Sequence, residues 1–179
     1  MIITIAGIAG SGKSTVAKLL AKKLKYKHYS TGDFMREMAK SKGLSLLELS
    51  KNAEKDKSID KELDKRQIEL GKKEDNFVID SRLGWHFIPD SIKIFLDVEL
   101  EEAAKRILKD KREHEKYKHV KDSIEKIETR ISSEEKRYKD YYGVDYKDRK
   151  NYDILIDTTN ILPRKIVEDI IKIIKQINL

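Results

Sequence analysis

The sequence predicts an α/β domain built on a parallel sheet, and three observations carry that expectation. Short β-rich runs alternate with longer helical patterns along the chain. Those runs are rich in Ile, Val and Phe, as strands covered on both faces are. The 179 residues suit one domain at roughly 100–200 residues each. Such a chain can bury about 70% of its unfolded surface.

Taken in order, Ile2–Ala6 reads as the first strand. Lys13–Leu24 follows as a helix with Val16, Leu19, Leu20 and Leu24 on one stripe. Lys27–Tyr29 is a short second strand, and residues 31–75 hold several short helices. Ser45 with Glu48 forms a capping-box pattern that opens a helix carrying Leu46, Leu47 and Leu49. Ile59–Leu70 is another helix, and the strands Phe77–Asp80 and Ile92–Leu96 come next. Residues 107–150 are long, helical and charge-dense, and Ile154–Ile156 is the fifth strand. Pro163 stands near the start of the last helix, a favoured position. Its Ile166, Ile170, Ile173, Ile174 and Ile177 follow helical spacing and are expected in the core.

Charged residues make up 40% of the chain, against a norm near 25%. The signs are mixed: 39 Lys and Arg against 32 Asp and Glu leave a net +7. A pI near 9.3 suits a phosphate-bearing ligand or a nucleic acid without choosing between them. Between Lys105 and Lys150, 16 basic and 11 acidic residues supply most of the excess. Such a run is either a solvated helix face or a flap that closes over phosphates. The absence of cysteine excludes disulfides, thiolate metal sites and a cysteine nucleophile, and fits a cytoplasmic protein. No apolar run approaches 18 residues, so no membrane span is expected. Met1–Ala6 lacks the basic and apolar regions of a signal peptide.

The chemistry enters at Gly7-Ile-Ala-Gly-Ser-Gly-Lys-Ser14, which matches G-x-x-x-x-G-K-[ST] at every fixed position, between a strand and a helix. Glycines at 7, 10 and 12 let successive amides converge on one anion. The following helix adds its free N–H groups and positive dipole end. Lys13 then places a charge on the β- and γ-phosphates, and Ser14 offers a hydroxyl to Mg²⁺. Residues Gly7, Ile8, Ala9, Gly10, Ser11, Gly12, Lys13, Ser14 and Thr15 are the expected ATP contacts. No N-K-x-D motif of a GTPase is present, nor the apolar run with paired acids of motor-type ATPases. Asp80 ends the third strand and is a candidate metal ligand with Ser14, or else a strand-end cap. Arg82, two residues beyond, stands where a second anion can sit.

With these residues in place the chain resembles the nucleoside monophosphate kinases, most closely the compact, archaeal-type cytidylate kinases. The resemblance runs through IITIAGIAGSGKSTVAKLLAKKL, YSTGDFMREMAKSKGLSLLELSKNAE, IDKELDKRQIELGKK and FVIDSRLGW. It continues in IKIFLDVELEEAAKRI, TRISSEEKRYKDYYGVD and YDILIDTT. Asp80 stands where Glu is expected and Ser81 where Gly is common. The resemblance implies a five-stranded parallel core (1–30, 74–106, 144–179), a monophosphate-binding helical insert (31–73) and a helical lid (107–143). It implies transfer from ATP, with Mg²⁺, to CMP or dCMP.

The resemblance also implies site residues. Arg36 and Arg82 would clamp the acceptor phosphate, since guanidinium forks match phosphate oxygens. Asp33 would organise metal-bound water. Asp60, Asp64 and Gln67 share a helical face, a spacing that equally suits a plain solvated face; placed in the insert, Asp64, Arg66 and Gln67 would read the cytosine edge, with Asp97 a further candidate for base or ribose. Arg130 and Arg137, two turns apart, with Arg106 at the root of the lid, would neutralise charge on the transferring group. Alternatively these arginines pair with Glu134, Glu135 or Asp140.

An acceptor phosphate oxygen is already anionic and needs no general base; a kinase acting on a hydroxyl, such as shikimate, needs a carboxylate, for which Asp33 is the candidate. No D-G-F-P-R run of an adenylate kinase follows the third strand. Acceptors such as AMP or UMP, and a nucleic-acid-binding NTPase, are the alternatives, the last disfavoured by interleaved charge. His114 and His119 read as solvated lid positions, His28 and His86 as isolated, and Trp85, Tyr138, Tyr141 and Tyr142 as packing and hinge residues. A monomer is favoured.

Overall fold

The computed structural model describes residues 1–53, 55–109 and 119–177. Five strands, β1 (Ile2–Gly7), β2 (Lys27–Ser30), β3 (Phe77–Asp80), β4 (Ile92–Asp97) and β5 (Ile154–Asp157), form one parallel sheet in the order β2-β3-β1-β4-β5. Four of them run one residue beyond the span read from sequence, because the polar or glycine residue at each carboxyl end still pairs. Gly7 lies in register with Leu96, and Asp97 with Asp157.

Alternation along the strands splits the core between two faces. Ile3, Ile5, Val78, Ile94 and Leu96 pack against α1 (Lys13–Leu24) and α8 (Pro163–Ile177) through Val16, Leu20, Ile166 and Ile170. The apolar stripes expected on those two helices supply that face. On the other side, Ala6 and Phe95 meet Leu83, Tyr138, Tyr146 and Tyr152, while Phe77 and Ile79 meet Ile88.

Two excursions leave the carboxyl edge of this sheet, where ligands of open α/β sheets bind. Between β2 and β3 lie α2 (Thr31–Ser41), α3 (Leu46–Ala53) and α4 (Lys57–Lys73), with their own small core of Met38, Leu49, Ile59 and Leu63. The capping box holds: the Glu48 amide donates to Ser45 Oγ at 3.2 Å, and the Ser45 amide to Glu48 at 2.7 Å. α4 starts two residues before the expected Ile59, because Asp56 caps it by accepting from the Ser58 amide. After β3 comes the short α5 (Gly84–Phe87). The second excursion follows β4: α6 (Leu100–Lys109) and the 23-residue α7 (Val120–Tyr142). Tyr138 and Tyr146 pin its carboxyl end to the sheet. Among the described residues, no helix is long and apolar enough to cross a membrane.

Candidate active site

The loop from Gly7 to Ser14 joins β1 to α1 at the carboxyl edge. A Cβ on Gly7 would lie 2.3 Å from the Leu96 carbonyl, and one on Gly10 would lie 2.7 Å from the Ala103 backbone. Both also adopt φ values, +144° and +80°, that side chains disfavour. The loop is therefore pressed against β4 and α6 by necessity. α1 opens at Gly12 with no side-chain cap, so its first-turn amides await an external acceptor. The Ser11 hydroxyl donates to the Ile8 carbonyl at 2.9 Å, and Thr158 donates to the Ser11 carbonyl at 3.1 Å.

Lys13 Nζ donates to the Ile8 carbonyl at 2.7 Å, folding back over its own loop. Burial and the neighbouring Arg82 charge push its pKa well below the usual lysine range. Ser14 Oγ donates to Asp80 at 3.1 Å, so the two candidate metal ligands meet at the ends of adjacent elements. Asp80 also accepts from Ser30 at 3.0 Å and contacts His28 Nε2 at 2.9 Å. Burial opposes its charge, but the bonds from His28 and Ser30 prevail and hold the carboxyl below its ordinary value. His28 is thus not the isolated residue its sequence context suggests. Ser30 pairs in register with Asp80, and His28, two residues earlier, shares its side of β2.

A hydroxyl and a carboxylate are hard oxygen donors of the kind Mg²⁺ takes, with phosphates and water completing its shell. Among the described residues no cluster of three His, Asp or Glu forms a self-sufficient metal site.

Arg82 leaves the end of β3 and gives its Nε–H to Glu134 of α7. Arg130, one turn earlier on α7, gives its Nε–H to the other Glu134 oxygen at 3.0 Å. Burial works against both members of the Arg82–Glu134 pair, yet each keeps its charge. The Arg82 pKa is raised and that of Glu134 lowered. Arg82 and Arg130 therefore share one carboxylate across the strand end and the second excursion, and the Lys13 charge on the loop interacts with all three.

The other arginines are distributed differently. Arg106 is anchored on backbone rather than standing free: it donates to the carbonyls of Thr158 at 2.6 Å, Thr159 at 3.0 Å and Gly10 at 3.5 Å. Arg137 lies 3.3 Å from Asp60 of α4 and over the Tyr138 ring. Arg36 pairs with Asp33 one turn away, both half-exposed.

On α4 the shared face of Asp60, Asp64 and Gln67 turns inward, with Asp60 and Gln67 buried. Gln67 accepts from Ser81 Oγ at 2.6 Å, and Asp64 accepts from Tyr142 of α7 at 2.5 Å. Tyr142 is therefore a bridge between the two excursions as well as a packing residue. Arg66 is engaged on another side of α4, with Glu37 at 3.3 Å and Glu62 at 3.2 Å. Asp97, near the far edge of the sheet, holds Arg149 at 3.0 Å. His119 precedes α7, and His114 lies outside the described residues.

Asp64 carries a testable consequence. Burial raises its pKa to about 6, against the opposing pull of the Tyr142 bond. The native state then holds a proton that the unfolded chain releases near 3.9. Ionisation of Asp64 consequently erodes stability as pH rises between about 4 and 6, and the loss is complete above that. Asp64→Asn should gain stability over the parent in denaturant titrations as pH is raised from 4 to 7. An equal difference at both ends would contradict the assignment.

Comparison with known proteins fits this layout. The family model described as the cytidylate kinase-like family matches residues 2–160. A cytidylate kinase of Methanobrevibacter smithii is 40% identical over 177 residues, covering 99% of this chain and 100% of the relative. One of Methanocaldococcus jannaschii is 43% identical over 165 residues, 89% of each. Among solved structures, a shikimate kinase from Bacteroides thetaiotaomicron superposes with a TM-score of 0.70 at 15% identity over 98% of each chain, which speaks to the fold alone. Because the match spans the sheet, the phosphate loop and both excursions, the chain belongs to the cytidylate kinase-like family.

Proposed function

We propose that the protein transfers the γ-phosphoryl group of ATP to CMP or dCMP, releasing ADP and the pyrimidine nucleoside diphosphate. The family is the first support. The observation that carries the reading is the meeting of Arg82 and Arg130 on Glu134 at the carboxyl edge of the sheet, where the Lys13 charge of the phosphate loop also acts. Three cations from three elements suit a site that joins two polyphosphate ligands.

In this reading the loop amides and Lys13 hold the β- and γ-phosphates. Residues 31–73 form the acceptor-binding insert and 107–143 the lid. An acceptor phosphate oxygen, already anionic, attacks the γ-phosphorus as its bond to the ADP oxygen breaks. No protein base is required. Arg82 and Arg36 grip the acceptor phosphate, Arg36 exchanging its exposed pair with Asp33 for it. Arg130 and Arg137 of the lid bear on the transferring group, and Arg106 fixes the loop against the segment after β5. Asp64 and Gln67, oriented by Tyr142 and Ser81, read the cytosine edge. Arg66 joins them by giving up its half-exposed partners. Ser14 and Asp80 would hold Mg²⁺, which offsets phosphate charge, with Asp33 ordering water around it.

An ADP-release assay with Mg-ATP across the nucleoside monophosphates, with shikimate and gluconate as controls, tests the reading. CMP and dCMP should give kcat/KM at least about tenfold above the others, the value of a single well-made polar contact. Comparable turnover of AMP, or any turnover of shikimate, would overturn it.

A further inference from the structure

Glu134 is the carboxylate that Arg82 and Arg130 share, and nothing in the transfer chemistry calls for a negative charge there. It is 7% exposed, on a helix with ample solvent-facing positions. Its two oxygens are divided between two arginines from different elements: Oε2 takes Arg82 Nε, and Oε1 takes Arg130 Nε at 3.0 Å. The Tyr146 hydroxyl lies 3.4 Å from Oε2. Burying a carboxylate costs several kcal/mol unless it is fully partnered, and here the partners are two residues assigned to phosphate. Both bonds run through Nε. The terminal nitrogens of each fork are thereby left for other acceptors, in the arrangement that bidentate phosphate binding uses.

We infer that Glu134 is a positioning residue for phosphoryl transfer: it bridges Arg82 of the core to Arg130 of the lid, setting the two guanidinium forks at one spacing. A lysine in either place would lack the second and third nitrogens needed to serve carboxylate and phosphate together. The bridge also makes correct placement of the lid arginine depend on the arginine at the strand end. The inference rests on the proposed roles of Arg82 and Arg130.

The test is a double-mutant cycle on the full chain. Glu134→Gln keeps the shape, but its amide nitrogen can accept from neither arginine, so one fork is released. It should lower kcat about ten- to a hundredfold, the scale of a lost charged hydrogen bond, with equilibrium ATP binding unchanged. In an Arg130→Ala background the same replacement should change kcat by less than about threefold, because coupled residues are not additive. Unchanged kcat, or penalties that multiply in the double variant, would overturn the inference. Should Glu134→Gln not fold, Glu134→Asp keeps the charge and loses the reach to both arginines. It should show the same loss of kcat, and parental kcat would overturn the bridge. The cycle is read with whichever acceptor the substrate panel identifies, so a wrong acceptor and a wrong role for Glu134 give different results.

Discussion

Lys13→Ala is expected to lower kcat by about 10²–10³-fold or more, the cost of removing one preorganised charge from a developing oxyanion, while the protein melts no earlier than the parent. The two halves of that expectation have separate causes. Lys13 Nζ occupies the Ile8 carbonyl at 2.7 Å. That carbonyl also accepts from the Ser11 hydroxyl at 2.9 Å and the Ser11 amide at 3.3 Å, so the truncation leaves no orphaned acceptor. The ammonium itself sits in an unfavourable place, desolvated and close to Arg82 and Arg130. Removing it relieves that repulsion, which is the usual sign of a group kept for activity at the expense of stability. Steady-state turnover and thermal melts of the same preparations decide the matter. Turnover within tenfold of the parent would remove Lys13 from the chemistry. A large fall in melting temperature would make it a structural lysine whose loss says nothing about transfer.

The architecture was legible because its signals are local. The central strands β1, β3 and β4 are largely covered on both faces and apolar at most positions, so they stand out between amphipathic helices, whereas the edge strands β2 and β5 are partly exposed and leave a weaker signal. The phosphate loop is legible for a related reason, since positive φ and close backbone approach leave few alternatives to glycine at Gly7 and Gly10. Side-chain partners across elements left a weaker trace. Arg106 pairs with Glu102 one turn before it on α6, a partner that i, i+4 spacing marks, but its bonds to the main-chain carbonyls of Gly10, Thr158 and Thr159 are marked by no residue type. His28 meets Asp80 only through the register of β2 against β3. Asp60, read as one of three residues on a common face, meets Arg137 from a helix more than seventy positions away. Glu134 stands between these cases. Its i, i+4 spacing from Arg130 is visible in sequence, but its second partner, Arg82, comes from the sheet edge.

Arg82→Ala is expected to raise the acceptor KM about ten- to a hundredfold, the value of a charged hydrogen-bonding fork, with equilibrium ATP binding changed by less than about twofold. The asymmetry follows from position: Arg82 lies at the end of β3, beside α4 and its Gln67–Ser81 bond, whereas the loop amides and Lys13 belong to β1 and α1. The substitution also disturbs the fold, since the Arg82 side chain is 15% exposed and its Glu134 partner 9%. Breaking one side of such a buried pair costs about 3–5 kcal/mol, moderated here because Glu134 retains Arg130 and Tyr146. A lower melting temperature is therefore part of the expected result and cannot by itself explain a selective change in KM. Arg82→Lys separates the two effects. It keeps a charge for Glu134 but lacks a planar fork to serve carboxylate and phosphate together, so it should melt near the parent and still bind the acceptor poorly. Equal weakening of ATP and acceptor in both variants would place Arg82 in the scaffold and move the acceptor phosphate elsewhere.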